Sequence, residues 1–187
     1  MQIFFVIAGI LVASCIIYYK FYPKPYVNYT PIKKQNPYLG LREQAISIKS
    51  EQLQLILSED QEIAFGVIAE LGIGNGSATI VSFMTGDASM YTSSGGGIIG
   101  GAVSHENVKS SAINLVNVAQ RFFPKMPKSY NLNIPKDGYI KFYILTNKAT
   151  YSFEGKESEI TDPNSNWAEL FNAANDVISQ LRIGEKV

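Results

Sequence analysis

Residues 3–19, IFFVIAGILVASCIIYY, contain no charged side chain. Wound as a helix at about 1.5 Å per residue, they rise about 25 Å, the short end of what spans a bilayer. No other stretch narrows the folding options as sharply, because any compact domain must then come from the rest of the chain. Tyr18, Tyr19, Phe21 and Tyr22 follow, interleaved with Lys20 and Lys24, the aromatic and cationic mixture that settles at a membrane interface. Residues 1–20 therefore read as an uncleaved transmembrane anchor, with Ile3, Phe4, Phe5, Ile10, Leu11, Ile16 and Ile17 facing lipid.

Two rival readings share this segment. A cleaved signal peptide carries positive charge ahead of its apolar run, and only Met1 and Gln2 stand there. VASC, residues 12–15, has the form of a lipobox, in which Cys15 would be lipidated and the domain exported; the apolar run nevertheless continues through Tyr19. Lys20, Lys24, Lys33, Lys34 and Arg42 all follow the span, so the positive-inside rule puts the soluble domain in the cytoplasm.

Residues 21–40 read as a linker. PKPYVNYTPIKKQNPYLG, residues 23–40, holds four of the eight prolines and no alternating apolar pattern. Eighteen residues in an extended, polyproline-like form reach up to about 55 Å at about 3.1 Å each.

Residues 41–187 carry the patterns of a single α+β layered domain, with an antiparallel sheet of about five strands, two main helices and one core. Ala45–Lys49 reads as a short strand or as the lead-in to a helix capped at Ser50, with Leu53, Ile56 and Leu57 buried. Strands are expected at 64–71, 78–84 and 88–92, joined by GNG and TGD, whose glycines accept the positive φ of tight hairpin turns. A helix over 104–123 follows, with Ser104 as N-cap, and Val108, Ala112, Leu115, Val116, Ala119, Phe122 and Phe123 fall on one face before Pro124 stops it. YIKFYILT and ATYSFEG make two more strands around Thr146–Lys148. NWAELFNAANDVISQLR closes the chain as a helix, with Asn166 and Glu169 spaced for a capping box and Leu170, Ala174, Val177, Ile178 and Leu181 inward.

SMYTSSGGGIIGG, KFYILTNKATYSFEG and FNAANDVISQLR together resemble a family of small bacterial proteins over residues 65–182. That resemblance implies no activity. The order of strands and helices is more loosely similar to profilin-like and roadblock-type domains, which act mostly as dimerising platforms and regulators of small GTPases. The likeness implies a binding role rather than an enzymatic one.

The chemistry-bearing residues are few. Cys15 is the only cysteine, so residues 41–187 offer no disulfide, thiolate nucleophile or cysteine zinc cluster. Sixteen basic residues balance sixteen acidic ones, which advertises neither nucleic acid nor an anionic surface as partner. Charge is nonetheless uneven: 107–136 has no acidic residue but contains Lys109, Arg121, Lys125, Lys128 and Lys136, here read as solvated surface.

TSSGGGIIGG, residues 92–101, packs five of the fifteen glycines between strand and helix. Gly95 to Gly100 match G-x-G-x-x-G, but the dinucleotide motif opens a βαβ unit and needs an acidic residue about twenty positions on. Here the strand belongs to a meander, and no acid occurs between Glu106 and Asp137. Gly96 to Gly101 have P-loop spacing, with Ala102 and Val103 where Lys and Ser/Thr are required. The weak catalytic candidates are Ser94, or its neighbour Ser93, and the single histidine, His105. A ligand reading uses Ser93, Ser94, Gly95, Gly96, Gly97 and His105 to hold an anion at a helix start. No cofactor, metal or nucleic acid is expected. The membrane and a protein partner, or a second copy of the chain, are.

Overall fold

The computed structural model describes residues 36–101 and 105–184. The anchor reading, including Ile3 through Ile17 and Cys15, lies outside them, as does Ser104. Among the described residues no helix is long and apolar enough to cross a membrane.

Six strands form one antiparallel sheet: β1 (Ala64–Ile73), β2 (Gly76–Phe83), β3 (Ala88–Thr92), β4 (Gly97–Ile98), β5 (Tyr139–Thr146) and β6 (Thr150–Lys156). Their order is β4-β3-β2-β1-β5-β6. The helices are α1 (Pro37–Ser47), α2 (Glu106–Ala119), the single turn α3 (Glu157–Ile160) and α4 (Ala168–Gly184). The α+β class and the hairpins are as expected: Ile73 pairs with Gly76 across the GNG turn, the Phe83 N–H donates to the Asp87 carbonyl across TGD, and Thr146 pairs with Ala149.

The central strands β1 and β5 are buried along nearly their whole length, which is why both read as almost continuous apolar runs. The expectation of one core needs correcting, because apolar clusters lie on both sides of the sheet. One joins Val67, Ala69, Ile80, Phe142 and Ile144 to α2 and α4 through Leu115, Val116, Leu170 and Val177. The other joins Ile68, Val81, Phe83 and Leu145 to Tyr38, Ala45 and Ile46 of α1. Side chains alternate across a strand, so each central strand feeds both.

Further corrections concern element ends. The first element is neither a strand at 45–49 nor a helix opening at Ser50. It is α1, capped by Asn36, whose side chain accepts the Tyr38 N–H at 3.1 Å, with Pro37 in the first turn. It begins inside the stretch read as linker and buries Tyr38. Pro fits there because its fixed φ suits a first turn, where the missing N–H has no partner to lose. A single 3-10 turn follows over Ser50–Leu53, and Gln54 turns the chain at φ 58°. Leu53 and Leu57 are half-buried, while Ile56 is fully exposed.

α2 ends at Ala119 rather than Phe123; Phe122 and Phe123 reach the same core from the turn beyond it. The entry to α4 is built on Ser165, which accepts the N–H groups of Trp167 and Ala168, not on an Asn166 capping box. Glu169 pairs instead with Arg121 of the segment after α2.

Candidate functional site at the hairpin end of the sheet

The glycine-rich stretch is a β-hairpin, not a direct strand-to-helix link. Thr92 and Gly96 pair by a backbone hydrogen bond, and Gly97 and Ile98 form β4 against Tyr91 and Met90. Gly95 and Gly96 sit at φ +100° and +84°, backbone that side chains other than glycine's adopt only at a cost. A Cβ on Gly97 would stand 2.4 Å from the Met90 carbonyl oxygen, so this close approach also needs glycine. Gly95 N–H donates to the Thr92 carbonyl, and Gly100 N–H to Ser89 Oγ at 3.1 Å. The Gly95 amide of the expected anion cradle is thus already engaged.

Ser93 Oγ accepts the backbone N–H of Ser77 at 2.9 Å and so ties the hairpin to the start of β2. Ser94 Oγ lies 3.1 Å from Thr92 Oγ1. His105 is the N-cap residue of α2 without a side-chain capping bond. Its ring packs at the far end of α4, where a Cβ on Gly184 would come within 2.8 Å of it. No hydrogen bond joins either serine to His105 among the described residues. The structure brings Ser93 and Ser94 together with the β1–β2 turn, and His105 with α4.

Between the two hairpin turns lies a cleft of about 390 Å³ lined by Ile73, Gly76, Ser77, Ala78, Ser93 and Ser94, among others. Ile73 at its mouth is 60% exposed. A second groove, about 400 Å³, runs from the end of α1 to the β5–β6 turn, between Lys49 and Lys148.

A polar row crosses the α1 side of the sheet, and the sequence expectations did not include it. Register places Tyr91, Thr79, Glu70, Lys141 and Glu154 side by side on five neighbouring strands. Glu70 is fully buried and takes a bidentate pair from Arg42 of α1, at 2.5 and 2.8 Å. It also accepts from Thr79 Oγ1 at 3.3 Å. Burial pulls against the Arg42 charge, but the hydrogen bond and charge of Glu70 outweigh it and hold the guanidinium above its usual range.

Tyr143 accepts from Arg42 Nη2 at 3.2 Å and donates to the Asn133 carbonyl at 3.2 Å. Burial pushes its phenol upward, Glu70 adds to that, and Lys141 opposes it. Lys141 Nζ reaches the same Asn133 carbonyl at 3.1 Å and Glu154 at 3.5 Å. Tyr91 has a buried hydroxyl without a hydrogen-bond partner among the described residues, and burial first, then the Glu70 charge, raises its pKa. The signal for this row was available: Glu70 and Lys141 are lone charges inside otherwise apolar strands, and a buried charge needs a partner.

No family model, curated protein or solved structure matches the chain.

Proposed function

We propose that the chain is a single-pass, membrane-anchored protein whose α+β domain binds another protein, as a scaffold or regulatory subunit, at the hairpin end of its sheet. The supporting observation is the cleft beside exposed Ile73. Its volume suits one or two side chains of a partner, and its mouth is framed by turns rather than closed over a ligand. Large exposed apolar side chains beside a recess are the usual anchors of protein contacts. The positive charges that follow residues 3–19 support a cytoplasmic orientation.

Cross-linking in native membranes followed by affinity capture of the full chain tests this. A stoichiometric partner, or a second copy, is expected with the wild type and lost with Ile73→Asp. A domain that captures nothing and purifies as a monomer would sink the proposal. Mass spectrometry of the intact N-terminus separates an uncleaved anchor from lipidation at Cys15.

The same cleft supports a second reading, because Ser93 and Ser94 line it: a small-molecule or anion-binding module, or an enzyme, using residues 93–105. Thermal shift against nucleotides and phosphate compounds discriminates. Stabilisation abolished by Gly96→Val favours it, and none at all rejects it.

A further inference from the structure

α1 and the stretch that follows it are joined to the rest of the domain by side chains alone. From Asn36 to Leu57 no backbone hydrogen bond reaches the sheet among the described residues; those of the connection, such as Gln52 N–H to the Lys49 carbonyl and Leu55 N–H to the Ser50 carbonyl, stay within it. Tyr38, Ala45 and Ile46 are buried, and Leu53, Leu55 and Leu57 pack on the same apolar cluster, so residues 36–57 form one piece. The chain is next tied at Asn147, whose Nδ2 donates to the Ser58 and Gln61 carbonyls at 2.8 and 3.0 Å. Residues 58–61 are exposed, in the position of a hinge.

The seat beneath α1 is selective. Tyr38 Oη lies 2.6 Å from Ser77 Oγ and 2.9 Å from Thr79 Oγ1, and Arg42 reaches both Glu70 carboxylate oxygens and Tyr143 Oη. These two side chains stand four residues apart, on one face of the helix. Glu70 is fully buried, so an empty seat orphans its charge, and a helix without the arginine leaves it equally orphaned. Among the described helices only α1 carries a tyrosine and an arginine at this spacing.

We infer that α1 also seats in trans: residues 36–57 of one copy occupy the seat of a second copy, and the reverse, giving a two-fold dimer by exchange. The contacts of α1 are the same in either arrangement, because the hinge makes none of them. A selective seat and a helix held to its own chain by an exposed hinge are the conditions under which identical elements exchange at low cost. The hinge keeps α1 at high local concentration for its own seat, so the exchanged form grows with protein concentration. This dimer does not rest on a partner contact at Ile73.

The test mixes two variants of the full chain in detergent micelles, Arg42→Met labelled with heavy isotope and Glu70→Leu unlabelled. Each alone has a mismatched seat. Exchange between them restores one Arg42–Glu70 pair and sets the introduced methionine against the introduced leucine, so both seats are matched. After co-refolding, native mass spectrometry should show heavy–light dimers, severalfold more than a mixture of wild type with the R42M/E70L double variant, where exchange mismatches both seats. The urea midpoint of the first mixture should exceed that of either variant alone. Equal heavy–light yields in the two mixtures, or none in the first, overturn the inference; so does a yield abolished by Ile73→Asp, which assigns association to the cleft instead. If either single variant is unfolded by itself, recovery of its helical circular dichroism on co-refolding is the expected result, and no recovery overturns the inference.

Discussion

The two sides of the sheet are covered by different means. On one, α2 and α4 press apolar stripes onto Val67, Ile80, Phe142 and Ile144, with Trp167 stacked on Phe153 at the margin. On the other, α1 has no apolar stripe: its sequence PYLGLREQAIS spreads apolar and polar residues around the helix. It is held by Tyr38 bonding to Ser77 and Thr79 and by Arg42 bonding to Glu70, with Ala45 and Ile46 packing beside them. Apolar burial is non-directional and tolerates sliding. A bidentate ion pair has one geometry. The difference teaches that α2 and α4 make the domain stable, while α1 is registered on it by directional polar contacts.

The largest expected effect tests that division directly. Arg42→Ala leaves Glu70 charged and fully buried at the centre of β1, which cannot leave the sheet, so it should cost about 3–5 kcal/mol. Glu70→Ala should cost less, because the orphaned Arg42 sits on a helix that can lift into water. The pair Arg42→Met with Glu70→Leu should recover most of the loss, since well-packed apolar replacements of a buried ion pair are often neutral. Urea midpoints of the three variants measure this. Equal losses in both single variants would mean that α1 cannot lift separately from the sheet.

On the opposite side, Leu115→Ala should cost about 2–5 kcal/mol by leaving a cavity between α2 and the sheet. The loss should appear as whole-domain unfolding, with α1 amides exchanging no faster relative to the rest. Selective α1 exchange in this variant would break the distinction between the two sides.

Alkaline pH should also act on the α1 side. Tyr91 and Tyr143 both have folded-state pKa values raised above the usual phenol range, mainly by burial. Below about pH 10 both are protonated whether folded or unfolded, and their contribution is complete. Above it the unfolded chain releases protons that the folded chain retains, so stability should fall by about 1.4 kcal/mol per pH unit for each tyrosine until its folded pKa is passed. Tyr91→Phe should make that slope shallower at no cost near neutrality, because the hydroxyl it removes has no partner. Denaturant midpoints between about pH 8 and 11 check both the slope and its decrease in Tyr91→Phe.

What could be read from the sequence follows the same division. The α2 and α4 stripes and the hairpins of β1, β2, β5 and β6 were legible because apolar periodicity and positive-φ turn residues are local signals. α1 was not, since its contacts pair residues far apart, Arg42 with Glu70 and Tyr38 with Ser77. Only Asn36–Pro37, a capping residue followed by a first-turn proline, advertised it. Ile56 was misjudged because the turn at Gln54 ends the helical period that would have carried it inward. β4 escaped notice because Ile98 and the last of three consecutive glycines carry no strand pattern. At the candidate site, Ser93 and Ser94 were legible as loop residues, but the cleft needs the β1–β2 turn beside them, a neighbour that only the β2–β3 register supplies.

The smallest expected effect is the sharpest on α1. Tyr38→Phe removes one hydroxyl that lies 2.6 Å from Ser77 Oγ and 2.9 Å from Thr79 Oγ1, while the ring keeps its edge contact with Tyr91. Thr79 still has Glu70 as an acceptor, so only Ser77 loses a side-chain partner, and the cost should be about 1 kcal/mol. A change that small moves a urea midpoint by about 0.3–1 M without saying which helix is affected, whereas about 1 kcal/mol is roughly a fivefold change in an opening equilibrium. Hydrogen exchange should therefore quicken about fivefold across 38–47 and stay constant in α2 and α4 if α1 opens as a separate unit. Uniform quickening over all helices would show instead that α1 and the apolar side unfold together, and that polar registration adds no independent motion.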